Sequence, residues 1–193
     1  MWRSPFPEKT VTGEYGTLSE YRKARGMQPH SGRDFAPGAN KVIPAVAKGK
    51  VRLIQWSEIL GWNLVQDAKG ADGKTYFIGY SHLSCAKHGI DCKGPKVLGD
   101  HSPFTNTNVG DVKELGEPIG RVGNTGSASS GAHLHLTISL KLKGVFGITT
   151  DKLDPKILIQ ANAEGSAPKQ ANAKAKAVVA SVKKCPTCGQ DIK

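Results

Sequence analysis

Residues 131–140, GAHLHLTISL, alternate polar and apolar side chains with a period of two. This alternation predicts a β-strand with one polar and one apolar face. The polar face would carry His133, His135, Thr137 and Ser139, and the apolar face would carry Leu134, Leu136, Ile138 and Leu140. Imidazole is the commonest metal ligand and proton carrier near neutral pH. Two imidazoles side by side therefore indicate either part of a metal or catalytic site, or a pair of solvent-facing histidines.

The remaining sequence predicts an all-β domain. Short apolar runs rich in β-branched residues alternate with glycine turns between residues 42 and 123, a pattern typical of a mostly antiparallel sheet. The run at residues 75–83 would place His82 on the same face as Tyr76, Ile78 and Tyr80. For the two tyrosines, groove lining and core packing both stay open. Residues 84–108 show no periodicity and indicate an irregular surface insertion.

A second candidate for metal binding lies in a segment shaped by glycine and proline. Residues 27–38 hold two prolines and two glycines, which are too dense for a helix and favour a loop or a short strand. Within this segment His30 and Asp34 are four residues apart. A nitrogen and a carboxylate offered together could bind a metal ion. Alternatively, Asp34 caps backbone amides in a turn.

The bulk properties restrict the partners and the setting. The chain has 193 residues and a formal net charge of +11, which indicates an anionic partner such as nucleic acid, a membrane face or a cell wall. No apolar run is long enough to span a bilayer. The first residues lack an apolar core and a small-residue cleavage site, so we expect no signal peptide.

A change in composition at Gln160 predicts two parts, a domain over residues 1–160 and an appendage over residues 161–193. The appendage reads as a linker, a basic segment rich in alanine and lysine that could be a short helix, and a CPTCG knuckle. The basic segment could hold the protein near anionic wall polymers, or it could be a solvated tail.

The four cysteines leave several readings open. Cys185 and Cys188 resemble half of a structural zinc site, which needs four ligands. Cys85 and Cys92 of the insertion, or a second copy of the chain, could supply the other two. The CPTCG knuckle could equally be a redox pair or a remnant without metal. Cys85 and Cys92 could form a disulfide outside the cell, or stay as free thiols.

Three segments together resemble a known family. They are HSGRDF from His30, YSHL around His82, and GNTGSASSGAHLHL with His133 and His135. They resemble, in order, the signature segments of the lysostaphin/LytM-type zinc metallopeptidases, peptidase family M23. Asp154-Pro155 resembles the motif that often closes that domain, so the resemblance covers roughly residues 10 to 160. It implies an antiparallel, lysostaphin-like (duplicated hybrid motif) sheet with a substrate groove.

The resemblance also implies roles for five residues. His30, Asp34 and His135 would bind one catalytic Zn²⁺, whose fourth tetrahedral position stays open for water. His82 and His133 would act as general acid and general base, in an order that the sequence does not decide. His88 and His101 match no motif and are expected to be surface histidines.

The sequence thus predicts a zinc-dependent endopeptidase that cuts peptide bonds in bacterial peptidoglycan. With no signal peptide expected, it predicts a phage endolysin made in the host cytoplasm and released at lysis. A non-catalytic M23-like module that binds or regulates walls is the first alternative, but all five site positions are filled. A basic nucleic-acid-binding protein is the second, favoured by the charge and the CPTCG knuckle. The absence of interleaved aromatic and basic residues argues against it.

Overall fold

The computed structural model describes residues 1–84, 107–146 and 151–164. In these residues the chain forms ten β-strands, two α-helices and two short 3-10 helices. The strands are β1 (Val11–Gly13), β2 (Arg33–Phe35), β3 (Val42–Pro44), β4 (Gly49–Ser57), β5 (Gly61–Lys69), β6 (Thr75–Leu83), β7 (Val112–Lys113), β8 (Pro118–Arg121), β9 (Leu134–Ser139) and β10 (Lys152–Leu153). The α-helices are α1 (Glu20–Ala24) and α2 (Pro155–Ala163), and the 3-10 helices are Glu8–Thr10 and Leu142–Val145.

Strand pairing places the three motif segments next to one another. The main sheet has the order β1-β2-β9-β6-β5-β4-β7, and β10 also pairs with β9. Strands β3 and β8 form a separate two-stranded sheet, and every pair is antiparallel. The strand with the two histidines, β9, therefore lies between the His30–Asp34 segment and the His82 strand. The predicted all-β, antiparallel architecture is confirmed.

The apolar face of β9 forms the centre of the hydrophobic core. Leu134, Leu136 and Ile138 are fully buried, as their alternation predicts. The prediction for Leu140 is wrong, since its exposed fraction is 44%. Strand β9 ends at Ser139, and the chain then enters the 3-10 helix Leu142–Val145, so the alternation of faces no longer applies.

A β-bulge turns His82 away from the face that its sequence position predicts. Across β5 and β6, Leu64 pairs with Tyr80 but Trp62 pairs with Leu83, so β6 carries one extra residue. His82 has a φ of 60°, a left-handed conformation that is uncommon outside glycine. A bulge bends its strand and redirects side chains, and such features concentrate near functional sites.

The apolar residues of β6 that precede the bulge pack in the hydrophobic core. Tyr76, Ile78 and Tyr80 are buried in the hydrophobic cluster. The Tyr80 hydroxyl donates to Gln66 Oε1 at 3.0 Å and accepts from the backbone N–H of Val46 at 3.0 Å. The prediction that His82 shares a face with Tyr76, Ile78 and Tyr80 is therefore wrong. Of the two alternatives for the tyrosines, core packing is the one observed.

Both α-helices begin at side-chain caps. Ser19 accepts from the backbone N–H of Arg22 at the start of α1. Asp154 caps α2, and Pro155 occupies the first turn, where its missing N–H costs nothing. No helix in the described ranges has the length and apolar character needed to cross a membrane.

Helix α2 continues past the domain boundary predicted at residue 160. Asn162 is buried, accepts from the backbone N–H of Ala71 at 2.6 Å and donates to the Leu158 carbonyl at 2.8 Å. The bond to Ala71 attaches the last turn of α2 to the domain. The division at residue 160 stays a prediction, and the basic segment with its CPTCG knuckle lies outside the described residues.

Candidate active site

Three predicted ligands converge where β2 and β9 pair. Asp34 lies on β2 directly opposite His135 on β9, and His30 lies in the loop before β2. The Asp34 carboxylate is 2.7 Å from His135 Nδ1 and 3.1 Å from His30 Nε2. His30 Nε2 and His135 Nδ1 are themselves 3.1 Å apart. Two imidazoles and one carboxylate therefore present their donor atoms to one point.

These separations fit a metal ion. Ligand bonds of about 2.0–2.2 Å in a tetrahedral site place neighbouring donor atoms roughly 3.3 Å apart, close to the observed distances. His30 Nδ1–H donates to the Glu14 carbonyl at 3.1 Å, so Nε2 of the neutral ring directs a lone pair at the Asp34 carboxylate. Lone pairs that face one another favour a cation between them. Asp34 caps no backbone amide of the described residues, so the turn alternative for this segment is not observed.

The charge of Asp34 is strongly maintained. Burial alone would raise its pKa, but the close imidazoles of His135 and His30 outweigh burial and hold the pKa of the carboxyl well below its usual value. Burial lowers the pKa of His135, which favours the neutral imidazole. An anionic carboxylate and neutral imidazoles are the ligand forms that a metal ion requires.

Gly32 allows the His30–Asp34 segment to pack against β9. A Cβ at Gly32 would overlap the backbone carbonyl oxygen of Leu136 and would lie 2.7 Å from His135 Cε1. Real Cβ atoms do not approach backbone this closely, so only glycine fits without a shift. Glycine is therefore required between His30 and Asp34 because this position lies against the imidazole of His135.

His82 and His133 form a second pair beside these three residues. Their ring centroids are 4.7 Å apart, and His82 lies 6.0 Å from the ring of His135. His133 Nε2 is 3.9 Å from Asp34 Oδ1. The structure thus brings all five predicted site residues into one groove, although the chemical role of each stays a prediction.

Backbone carbonyls orient both rings of this pair. His82 Nδ1–H donates to the Thr125 carbonyl at 2.7 Å, and His133 Nδ1–H donates to the Gly131 carbonyl at 2.8 Å. In each neutral ring the Nε2 atom is then free to accept a proton. Burial, with the neighbouring imidazoles, lowers the pKa of His82 to about 3 in this arrangement.

The groove around these residues has a volume of about 520 Å³. Its walls combine apolar side chains, which include Met27, Ile59, Leu60 and Phe146, with the five site residues. Lys152 also lines the groove, and burial lowers the pKa of this lysine to about 8. A concave site of this volume, with apolar walls and a few polar groups, is typical of a ligand-binding site.

Sequence reasoning missed two contributors to this site. The Thr125 carbonyl orients His82, and the Thr125 hydroxyl donates to the Leu83 carbonyl at 2.8 Å, which anchors the loop before β9. Every residue has a backbone carbonyl, so the sequence does not reveal which carbonyl orients a histidine. The sequence shows only that residues 124–131 are small and favour a loop. Lys152 is the second, a single lysine in a short segment without periodicity. His88, His101 and all four cysteines lie outside the described residues.

The comparison with protein families agrees with this geometry. Residues 28–146 match peptidase family M23, which is more than half of the chain and contains all five site residues. The protein therefore belongs to peptidase family M23. As a member it is a peptidase, and the resemblance of its three sequence segments is confirmed.

Solved structures share the fold. The catalytic domain of the antimicrobial peptidase lysostaphin from Staphylococcus simulans matches with a TM-score of 0.55 and 23% identity, over 78% of this chain and 91% of that one. LytU matches with a TM-score of 0.56 and 25% identity, over 86% of this chain and 94% of that one. A zinc-containing peptidase from Vibrio cholerae matches with a TM-score of 0.50 and 22% identity, over 69% of this chain. The match spans only 35% of the Vibrio protein's length. The lysostaphin-like fold prediction is confirmed.

Proposed function

We propose that this peptidase is a zinc-dependent endopeptidase that hydrolyses peptide bonds in bacterial peptidoglycan. The observation that carries the proposal is the convergence of His30, Asp34 and His135 beside two further histidines in an open groove. Two nitrogens and one carboxylate oxygen are a typical ligand set for a catalytic zinc ion, with one position left for water or substrate. The peptidoglycan substrate is supported by the family and by the shared fold with lysostaphin.

The five site residues divide the chemistry between them. His30, Asp34 and His135 would hold the ion, which when bound supplies Lewis acidity and lowers the pKa of water from 15.7 to about 7. His82 and His133 would move protons, because each Nδ1–H is fixed on a carbonyl and each Nε2 stays available. One ring would take a proton from the attacking water, and the other would give one to the leaving amine. The apolar wall formed by Ile59, Leu60 and Phe146 would position the peptide and exclude water.

A metal add-back experiment tests this proposal. Protein stripped with a chelator is incubated with purified peptidoglycan, with and without one equivalent of zinc. New primary amines without new reducing sugars are expected only with zinc, because peptide rather than glycosidic bonds are cut. A protein that binds walls but releases no amine with zinc would instead support the non-catalytic alternative.

The biological setting is a further proposal, namely a phage endolysin that is made in the host cytoplasm and released at lysis. It comes from the sequence analysis, with the basic segment as the contact to anionic wall polymers. Expression in a bacterium whose walls the enzyme cuts tests it. Lysis is expected only after the membrane is permeabilised with chloroform. Spontaneous lysis would contradict the release step.

A further inference from the structure

Lys152 is a buried lysine that the proposed mechanism does not use. It lies on β10 and pairs with Ser139 of β9. Directly paired residues of antiparallel strands project to the same face of the sheet, and on β9 that face also carries His135. Lys152 Nζ donates to Ser31 Oγ at 3.1 Å, and Ser31 directly follows His30. The ammonium group therefore lies in the wall of the groove, beside the predicted metal ligands.

This ammonium group has no opposite charge among the described residues. Its polar contact there is the Ser31 hydroxyl, and no described carboxylate lies within 4.0 Å of Nζ. An ammonium carries three N–H donors, so one hydroxyl leaves it under-satisfied. The side chain is nevertheless buried, with an exposed fraction of 3%. A buried charge without a partner is unfavourable for folding alone.

Arg33 shows how this chain neutralises a buried cation that has a structural role. Arg33 is as buried as Lys152, and it bonds both Glu8 and Glu14. The four hydrogen bonds to these two glutamates range from 2.6 to 3.0 Å. Lys152 faces the groove instead, without such a partner. The difference favours a partner for Lys152 that is not among the described residues, such as a bound ligand.

The charges that line the groove also favour an anionic ligand. Its lining has two cationic side chains, Arg22 and Lys152, and one described carboxylate, Asp34. Asp34 is already bonded by the two imidazoles. Arg22 donates to the Gln28 carbonyl at 3.0 Å, which leaves its charge without a described counterion. Among the described lining residues, an anionic group would meet two positive side chains and no free carboxylate.

We propose that Lys152 binds a carboxylate of the substrate, so that the groove selects acidic stem peptides rather than uncharged glycine chains. The inference rests on the proposed function for the substrate class. Peptidoglycan stem peptides carry free carboxylates on γ-linked glutamate and at the C-terminus, whereas an internal glycine bridge carries none. A charge-assisted hydrogen bond from Lys152 would fix the register of such a peptide beside His30.

A binding titration tests this without any turnover. The probe is L-alanyl-γ-D-glutamyl-L-lysyl-D-alanine, with matched forms amidated at the glutamate, at the C-terminus or at both. Each form is titrated into metal-free protein and followed by NMR chemical shifts, which avoids direct binding of carboxylates to zinc. We expect the acidic peptide to bind about tenfold or more tightly than the doubly amidated form, as charged hydrogen bonds commonly give. The singly amidated forms identify which carboxylate is held.

The variant Lys152→Met should abolish this preference, since it keeps the length of the side chain and removes the charge. Lys41→Met removes one charge from an exposed lysine that does not line the groove, and it should bind like the wild type. Equal affinity of the wild type for acidic and amidated peptides, or no measurable binding of either, would overturn the proposal. So would unchanged discrimination in Lys152→Met.

Stability separates a binding role from a structural one. Because the buried charge has no oppositely charged partner among the described residues, Lys152→Met should unfold at the same or a higher denaturant concentration than the wild type. A clear drop would mean that Lys152 supports the fold, and it would contradict the proposal. If zinc-loaded protein released no amines from walls while the acidic preference held, the proposed function would fail and the carboxylate site would stand.

Discussion

His133 and His135 are two residues apart, project into the same groove and have different surroundings. His135 is buried, and its Nδ1 lies 2.7 Å from the Asp34 carboxylate. His133 has a side-chain exposure of 17%, and its Nδ1–H donates to the Gly131 carbonyl. His30 and His82 both donate an Nδ1–H to a backbone carbonyl, but His30 Nε2 also lies 3.1 Å from the Asp34 carboxylate. The groove thus has a carboxylate-linked pair and a carbonyl-linked pair of histidines.

The contrast teaches that the partner of a histidine, rather than its place on a strand, suits it to a role. A carboxylate between two imidazoles collects lone pairs and negative charge at one point, which favours a metal ion. A carbonyl partner without a bonded carboxylate fixes the ring and its tautomer without adding charge, which suits a group that gains and loses a proton. In our proposal the first pair therefore binds zinc, and the second pair transfers protons.

The largest effect should come from the carboxylate-linked residues. His30→Ala, Asp34→Ala and His135→Ala should each lose zinc and activity together, because each removes one of three protein ligands. The loss of zinc affinity should exceed the roughly 10–100-fold that removal of an outer-shell partner costs. Zinc content after dialysis, measured by atomic emission, checks this. A His135→Ala protein with full zinc occupancy would remove His135 from the ligand set.

The carbonyl-linked pair should lose activity and keep zinc. His133→Ala and His82→Asn should lower the rate of amine release by about 10²–10⁴-fold, the usual contribution of general acid–base catalysis. Asparagine is chosen at His82 because it tolerates the positive φ there better than alanine does. Zinc content and the circular dichroism spectrum should match the wild type. A near wild-type rate in either variant would exclude an essential role for that histidine.

A smaller effect is expected from a change that touches the metal site only through packing. In Gly32→Ala the new methyl group must displace the Leu136 backbone or the His135 ring. We expect destabilisation of about 1–3 kcal/mol, as for other overpacked sites. Zinc affinity should fall by about 10–100-fold, as for other changes that misorient a ligand.

Gly131→Ala is the matched control for this change, since its Cβ would meet no atom within 4 Å. Zinc affinity from competition with a chromophoric chelator and urea unfolding curves would be measured for both proteins. Equal values for the two variants would show that contact between Gly32 and His135 does not position the ligand.

The smallest effect should come from the appendage. Because Asn162 is bonded to the domain, the truncation should end at Glu164 rather than at the predicted boundary. The shortened protein should cleave a small soluble peptide normally. On intact walls at low salt it should be slower by roughly fivefold, equivalent to about 1 kcal/mol of exposed charge interactions. At about 1 M salt, where the Debye length is about 3 Å, the two proteins should become equal. Equal rates at low salt would mean that the appendage does not target the wall.

Sequence periodicity predicted the parts of this site that lie on regular strands. The alternation at residues 131–139 placed both histidines correctly, and glycine and proline marked the His30–Asp34 loop as irregular. The alternation pattern failed at His82, because a bulge depends on how two strands pair and is not visible in the sequence of one strand. It also missed Lys152, whose importance depends on burial beside Ser31, a residue 121 positions away. Long-range contacts of this kind are settled only by the fold.

Zinc X-ray absorption spectroscopy on protein that carries one equivalent of zinc tests the central claim most directly. We expect a four-coordinate ion with only nitrogen and oxygen neighbours at about 2.0–2.2 Å and with the outer-shell scattering of two imidazoles. His135→Ala should retain no zinc and so should not give this spectrum, whereas His133→Ala should leave the spectrum unchanged. A shell of sulfur at about 2.3 Å would contradict the account, because it would place the ion on cysteines rather than on His30, Asp34 and His135.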